Sequence, residues 1–452
     1  MMRDCFGTDH SSENPDAIAA FEMAVHGIAA HRPSSGEALG RAMAADPGLV
    51  AGHALKGFAN VMLAREELVP AARQAHADAR AALSAKRHAS SAERALTEAL
   101  GLAAEGRLLG AADRLDTLLA GDPRTFLAAK IAHSLRFMAG DVDGMLRGTA
   151  RVIDAWSEEA PGYGYLLGCH AFALEETGDF AAAERVGRRA VGIAPDDAWG
   201  LHAVSHVHEM QGRVDEGIAW IEGHRPVWAV CNNFSFHMAW HLALFHLERG
   251  EHERVLSLYD TEVRPAPTDD FRDMANAVSL LWRLRQEGVE VGDRWEELRA
   301  VASRRRTDTT LAFACLHYLV ALVAGGDREA ATALAGAMRD RARLDGSRSD
   351  QAAVLGTVGG DLARVILAFG TGRRDAGAAV GSLARQVRRL GGSHAQRDVF
   401  LRILAQAVAE TGNRTAFEQV LAVRRRLKQD DRYARVLTER LEARSQSMRL
   451  SA

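Results

Sequence analysis

The chain has 452 residues, of which 47% are hydrophobic and 25% charged, and a formal net charge of -3. That length is too great for one compact core unless the chain repeats. The interspersed, nearly balanced charge excludes a global field directed at nucleic acid or an anionic membrane.

Ala, Leu, Arg and Glu are abundant, alternating β-branched runs are absent, and several of the ten prolines stand at helix ends. The pattern is that of an all-α protein. The opening Met-Met-Arg-Asp-Cys-Phe lacks the apolar core of a signal peptide, which points to the cytoplasm. Cys5, Cys169, Cys231 and Cys315 form no CxxC pair, as expected in a reducing compartment. Ala38 to Ala45 with Pro47 reads as a helix and its stop, and Ala51–Ala64 with Ala71–Ser84 as a helical pair.

A fixed period emerges further on. Gly178-Asp179-Phe180, Ala183, Ala190 and Pro195 have the spacing of a tetratricopeptide hairpin, in which Gly turns, a small residue lets the helices touch and Pro ends the second helix. Gly212, Val214, Gly217 and His224 repeat it, Gly140 and Gly250 continue the period on either side, and Gly326 and Gly412 mark weaker copies. The repeats are best defined over 125–267 and degenerate outside, with a polar closing helix and tail at 430–452. The expected fold is a single continuous right-handed superhelix over 1–452, built from about eleven such hairpins.

Eight of the eighteen histidines fall between His202 and His252. Four make two helical i,i+4 pairs, His202/His206 and His237/His241, and each pair points one way. With Gly178, Gly212 and Gly250 as turn positions, both pairs and Glu209 fall on the groove face of adjacent first helices. Tyr165, Phe172, Glu175 and Glu176 do so in the preceding unit, and Lys130 before that. Trp199, Trp240 and Asn233 lie close by in sequence. His133, His170, His208, His224, His246 and His252 fall off this face and read as structural or surface residues. Three chemistries fit the cluster. His202, His206, His237 and His241 could ligate zinc or iron. They could act as acid and base with Glu209 fixing a tautomer. Or they could bind a ligand without turnover.

The most apolar stretch, Leu311 to Gly326, is too short to span a bilayer and reads as a buried helix containing His317. Later, Gly391-Gly392 ends a helix, and Ser393 with Gln396 forms a capping box that starts the next. That explains neither His394, Arg397 nor Asp398. Arg397 near a helix start could receive a carboxylate or phosphate. No GxSxG, P-loop, dinucleotide or HExxH motif is present.

Several segments carry a resemblance to the tetratricopeptide repeat protein 38 family. They include Asp197-Ala-Trp-Gly-Leu-His202-Ala-Val-Ser-His206-Val-His-Glu209-Met, His237-Met-Ala-Trp-His241-Leu, Gly250-Glu with Leu258-Tyr-Asp260, and Gly391-Gly-Ser-His-Ala-Gln-Arg-Asp-Val-Phe400. The resemblance covers nearly the whole chain and implies a cytosolic superhelix; it brings no settled activity. Asn276 and Cys315 stand where the family often carries Asp, while His317 matches. The expectation is a pocket for a small polar molecule. His202, His206, Glu209, His237 and His241 would do its chemistry. Tyr165, Trp199, Asn233, Trp240, His317, His394, Arg397 and Asp398 would bind the ligand. The alternative is an adaptor whose open groove takes a peptide or partner helix.

Overall fold

The computed structural model describes residues 1–371 and 380–450. The last two residues of the expected tail, 451 and 452, lie outside them. The described chain is all-α apart from one short antiparallel hairpin at its start, Met2–Arg3 paired with Asp9–His10. Asp4 closes that hairpin: it accepts the Thr8 amide at 2.7 Å and holds the His10 ring at 2.9 Å.

Backbone contacts divide the chain into two compact units. The first comprises Met1–Val207, Trp220–Met238 and Leu344–Ala353, and the second His208–Ala219, Ala239–Arg343 and Val354–Ala452. The helices used below are α1 (Pro15–Ala29), α2 (Phe126–Ala139), α3 (Tyr163–Glu176), α4 (Ala198–Met210), α5 (Phe234–Glu248), α6 (Phe271–Gln286), α7 (Ala312–Ala324) and α8 (His394–Thr411). Both histidine-bearing helices, α4 and α5, run unbroken through the division.

In the first unit the local signals act as expected. Asn14 caps α1 by accepting the Asp16 and Ala17 amides, and Pro15 supplies a first residue that needs no donor. The expected early helices form as Ser35–Ala45, Val50–Met62 and Val69–Ala85. Small residues let helices meet closely: a Cβ on Gly57 would stand 2.3 Å from a Leu100 methyl, so no larger residue fits there without repacking. The core is a layer of Ala and Leu with Phe21, Phe58 and Phe126 fully enclosed. α2 ends on Gly140 in the left-handed conformation (φ 71°), and Gly178 (φ 91°) turns α3 into the helix Phe180–Ile193, which packs against it.

The second unit gathers α6, α7 and α8 around Phe313 and Phe400. The capping box at the start of α8 forms as read: Ser393 accepts the Gln396 amide, and Gln396 reaches back to the Ser393 amide. Leu311 to Gly326 becomes the buried helix α7. One helical stretch, Asp350–Phe369, is long and apolar enough to cross a membrane by length and composition. It kinks at Thr357, and half of its apolar window is buried inside the protein, as in a core helix.

Candidate metal centre

The site starts from two uninterrupted helices. α4 and α5 contain neither Gly nor Pro between their histidines, so each pair keeps its one-turn spacing. His202, His206 and His237 are 1%, 0% and 8% exposed. Their rings converge on one another. His202 Nε2 lies 2.9 Å from His206 Nε2 and 3.0 Å from His237 Nε2.

Protons alone serve this arrangement badly. A neutral imidazole offers one N–H and one in-plane lone pair, so a single Nε2 cannot satisfy two facing nitrogens. A tetrahedral ion with nitrogens at about 2.0–2.1 Å sets those nitrogens roughly 3.3 Å apart, close to what is seen. The ligand atoms of the three rings fall within 4.8 Å of one another. His241, fully buried, follows His237 by one turn of the same helix.

Carboxylates back the rings. Glu175, fully buried at the end of α3, places Oε2 3.7 Å from His206 Nδ1, on the side of the ring away from His202. In the second unit Glu209 Oε2 meets His241 Nδ1 at 3.1 Å. Burial would raise the Glu209 pKa. The hydrogen bond to His241 and the charges of Lys428 and Arg283 outweigh it, so Glu209 stays below the usual carboxylate value. A carboxylate on Nδ1 fixes the tautomer that leaves Nε2 free to bind an ion.

An aromatic wall encloses the rings. Phe172 stacks on His202 with centroids 5.5 Å apart, Trp199 lies 4.9 Å from His202, and Phe234 lies 5.3 Å from His202 and 5.6 Å from His237. His31, at φ 55° just after α1, stacks on Phe234 at 4.2 Å, and its carbonyl accepts the Asn232 amide. Lys130 holds its ammonium 4.9 Å from the Trp199 ring and 3.7 Å from Cys169 Sγ. Nearby, burial pushes Asp197 up to about 7 against the opposing charge of Lys130.

Of the residues expected from the sequence, His202, His206, His237 and Trp199 come together in the first unit. Tyr165 does something else: its hydroxyl donates to Asp196 at 2.6 Å, and that carboxylate also holds His26 at 3.0 Å. Asn233 sits half-buried at the start of α5, its carbonyl accepting the Phe236 amide. In the second unit Trp240 donates to Ser279 Oγ at 3.1 Å and packs 4.9 Å from His241. His317 donates Nδ1–H to the Phe313 carbonyl at 2.8 Å between Phe313 and Phe400, and burial pushes its pKa down to about 4.

The late motif is bound into the scaffold of that unit. Arg397 donates to the Gly392 carbonyl and to His394 Nδ1. Asp398 receives Arg402 at 3.0 Å, Arg424, and Arg283 at 3.5 Å. Arg283 also donates to the Ala395 carbonyl at 2.7 Å and lies 5.6 Å from the Trp240 ring. The motif thus reaches the neighbourhood of Trp240 and His241 through Arg283.

Four of the histidines expected to be structural or at the surface have polar partners away from the cluster. His170 meets Thr149, His224 the Trp220 carbonyl, His246 Glu251 and His252 Glu287. His133 is fully enclosed against Phe172 and Trp199, and burial drives its pKa down to about 3. The groove register had flagged Phe172 and Glu175 without assigning them roles. Phe234 and His31 were missed: His31 arrives from the far N-terminal segment, and no local pattern marks it. No known family model matches the chain.

Proposed function

We propose that this chain is a metal-dependent protein. His202, His206 and His237 hold a zinc or iron ion, and a small polar molecule binds beside it. The observation that carries this reading is the convergence of three Nε2 atoms at 2.9 and 3.0 Å, an arrangement that neutral rings cannot satisfy among themselves. An ion held this way would activate water or polarise a carbonyl, which supports hydrolysis or proton transfer. The wall of Phe172, Trp199 and Phe234 would keep the site dry. Lys130 above Trp199 favours a ligand with an anionic group.

The surrounding scaffold is, on this reading, a cytoplasmic superhelix of about eleven tetratricopeptide-like hairpins of the kind the resemblance implies. Left-handed glycines at Gly140, Gly178, Gly212, Gly250, Gly326 and Gly412, all at expected turns, support the repeat register. An adaptor with an open peptide groove would not require imidazoles that are 8% exposed or less.

Metal analysis of protein purified without a His-tag tests the reading. At least one equivalent of zinc or iron per chain is expected, with loss in His206→Ala and His237→Ala. Chain that takes up neither metal on loading, and variants indistinguishable from it, would remove the metal centre.

A further inference from the structure

Glu175 and Glu176 are 0% and 4% exposed, at the last turn of α3. A helix C-terminus carries partial negative charge, so carboxylates are disfavoured on its last turn. Burying two adjacent ones costs more still unless positive charge compensates them. Consecutive helical residues also point about 100° apart, yet one oxygen from each and a ring nitrogen of His206 lie within 4.8 Å of one another.

The distance from Glu175 Oε2 to His206 Nδ1, 3.7 Å, is too long for a hydrogen bond. Two donors about 2.1 Å from a shared ion stand roughly 3.0–4.2 Å apart, and the observed separation falls in that interval. The His206 ring therefore faces two donor sets. Its Nε2 looks to His202, and its Nδ1 looks to Glu175, with a Glu176 oxygen in the same cluster.

We infer that Glu175, Glu176 and His206 Nδ1 form a second divalent-cation site, which makes the centre binuclear with the His206 ring between the ions. This rests on the imidazole site proposed above. Two oxygens and one nitrogen suit a first-row cation such as manganese, iron or zinc. The ions would stand about 6 Å apart across the ring, the range of a shared imidazole with both nitrogens ligated. His206 Nδ1 can bind an ion only after losing its proton, so filling the second site releases that proton to solvent.

The test is zinc titration of metal-stripped full-length protein, counting bound ions by elemental analysis after gel filtration and protons released in weak buffer. Wild type should hold two equivalents. Glu175→Gln/Glu176→Gln should hold one and release fewer protons per chain, with unchanged helical content by circular dichroism. One equivalent in wild type overturns the second site and leaves the imidazole site standing. Zero overturns both. Two equivalents in the double variant also overturn the second site. The wild-type count stands even if the variant fails to fold.

Discussion

Replacing Asp398 by Asn should destabilise the second unit while leaving its shape intact. Three guanidiniums surround this one carboxylate: Arg402 at 3.0 Å, Arg283 at 3.5 Å, and Arg424, which also grips Asp431 at 2.7 Å. Arg283 and Arg424 are 2% and 1% exposed, so water cannot take over the charge Asp398 supplies. Burial already pulls Arg283 down to about 10, with Asp398 the largest opposing influence. Breaking a buried ion pair costs about 3–5 kcal/mol. Asn keeps an acceptor and Asp398 is partly accessible, so about 3 kcal/mol is expected here. For a unit of roughly 200 residues that lowers the melting temperature by about 6–12 °C. Calorimetry at pH 7 measures it. The carboxylate sits well below its unfolded value because burial is overridden by Arg424, Arg402 and Arg283. Its contribution is therefore complete above about pH 4 and is lost as the pH falls below that, so the gap between wild type and variant should narrow in acid. A drop under about 2 °C at pH 7 would refute the ion network. If such a variant also lost ligand binding, Asp398 would belong to a binding site.

Other outcomes follow from single contacts. Glu209→Gln removes the charge that faces buried His241, Lys428 and Arg283, and should cost about 1–3 kcal/mol in urea unfolding; an unchanged midpoint would show that this carboxylate carries no stability. Gly217→Ala would put a Cβ 2.2 Å from the Phe245 ring and should cost about 1–3 kcal/mol in urea unfolding; an unchanged midpoint would show that the helices there are not in close contact. Burial lowers His133 to about 3 in the folded chain, below its unfolded value. Its stabilising effect is full above about pH 6.5 and falls by about 1.4 kcal/mol per pH unit toward pH 3. His133→Leu should therefore flatten the acid limb of a stability–pH curve, and an identical limb would contradict enclosure of a neutral ring. Trp199→Ala should leave metal content intact while removing the aromatic partner of His202 and Lys130, read as lost binding of an anionic ligand by calorimetry.

Local pattern in the sequence revealed a good deal. The i,i+4 spacing of His202/His206 and His237/His241 is a property of one helix, and helices α4 and α5 keep it. Gly140 and Gly178 reverse the chain as read, because only Gly takes the left-handed conformation cheaply. Ser393 and Gln396 make their reciprocal cap because the bond spans three residues. Contacts between distant segments were not legible. Nothing near His31 shows that it will stack on Phe234, two hundred residues away. Nothing near Asp398 announces its pairing with Arg283 and Arg424. Tyr165 lay on the expected face, yet its hydroxyl turns to Asp196. The N-terminal hairpin escaped notice because two-residue strands hold too few residues to show alternation.

X-ray absorption at the zinc edge of the loaded, untagged protein reads the centre most directly. The expected spectrum has a first shell of nitrogen and oxygen donors at about 2.0–2.2 Å and the outer-shell scattering of several imidazole rings. A first shell of oxygen or sulfur without that imidazole signature would contradict ligation by His202, His206 and His237.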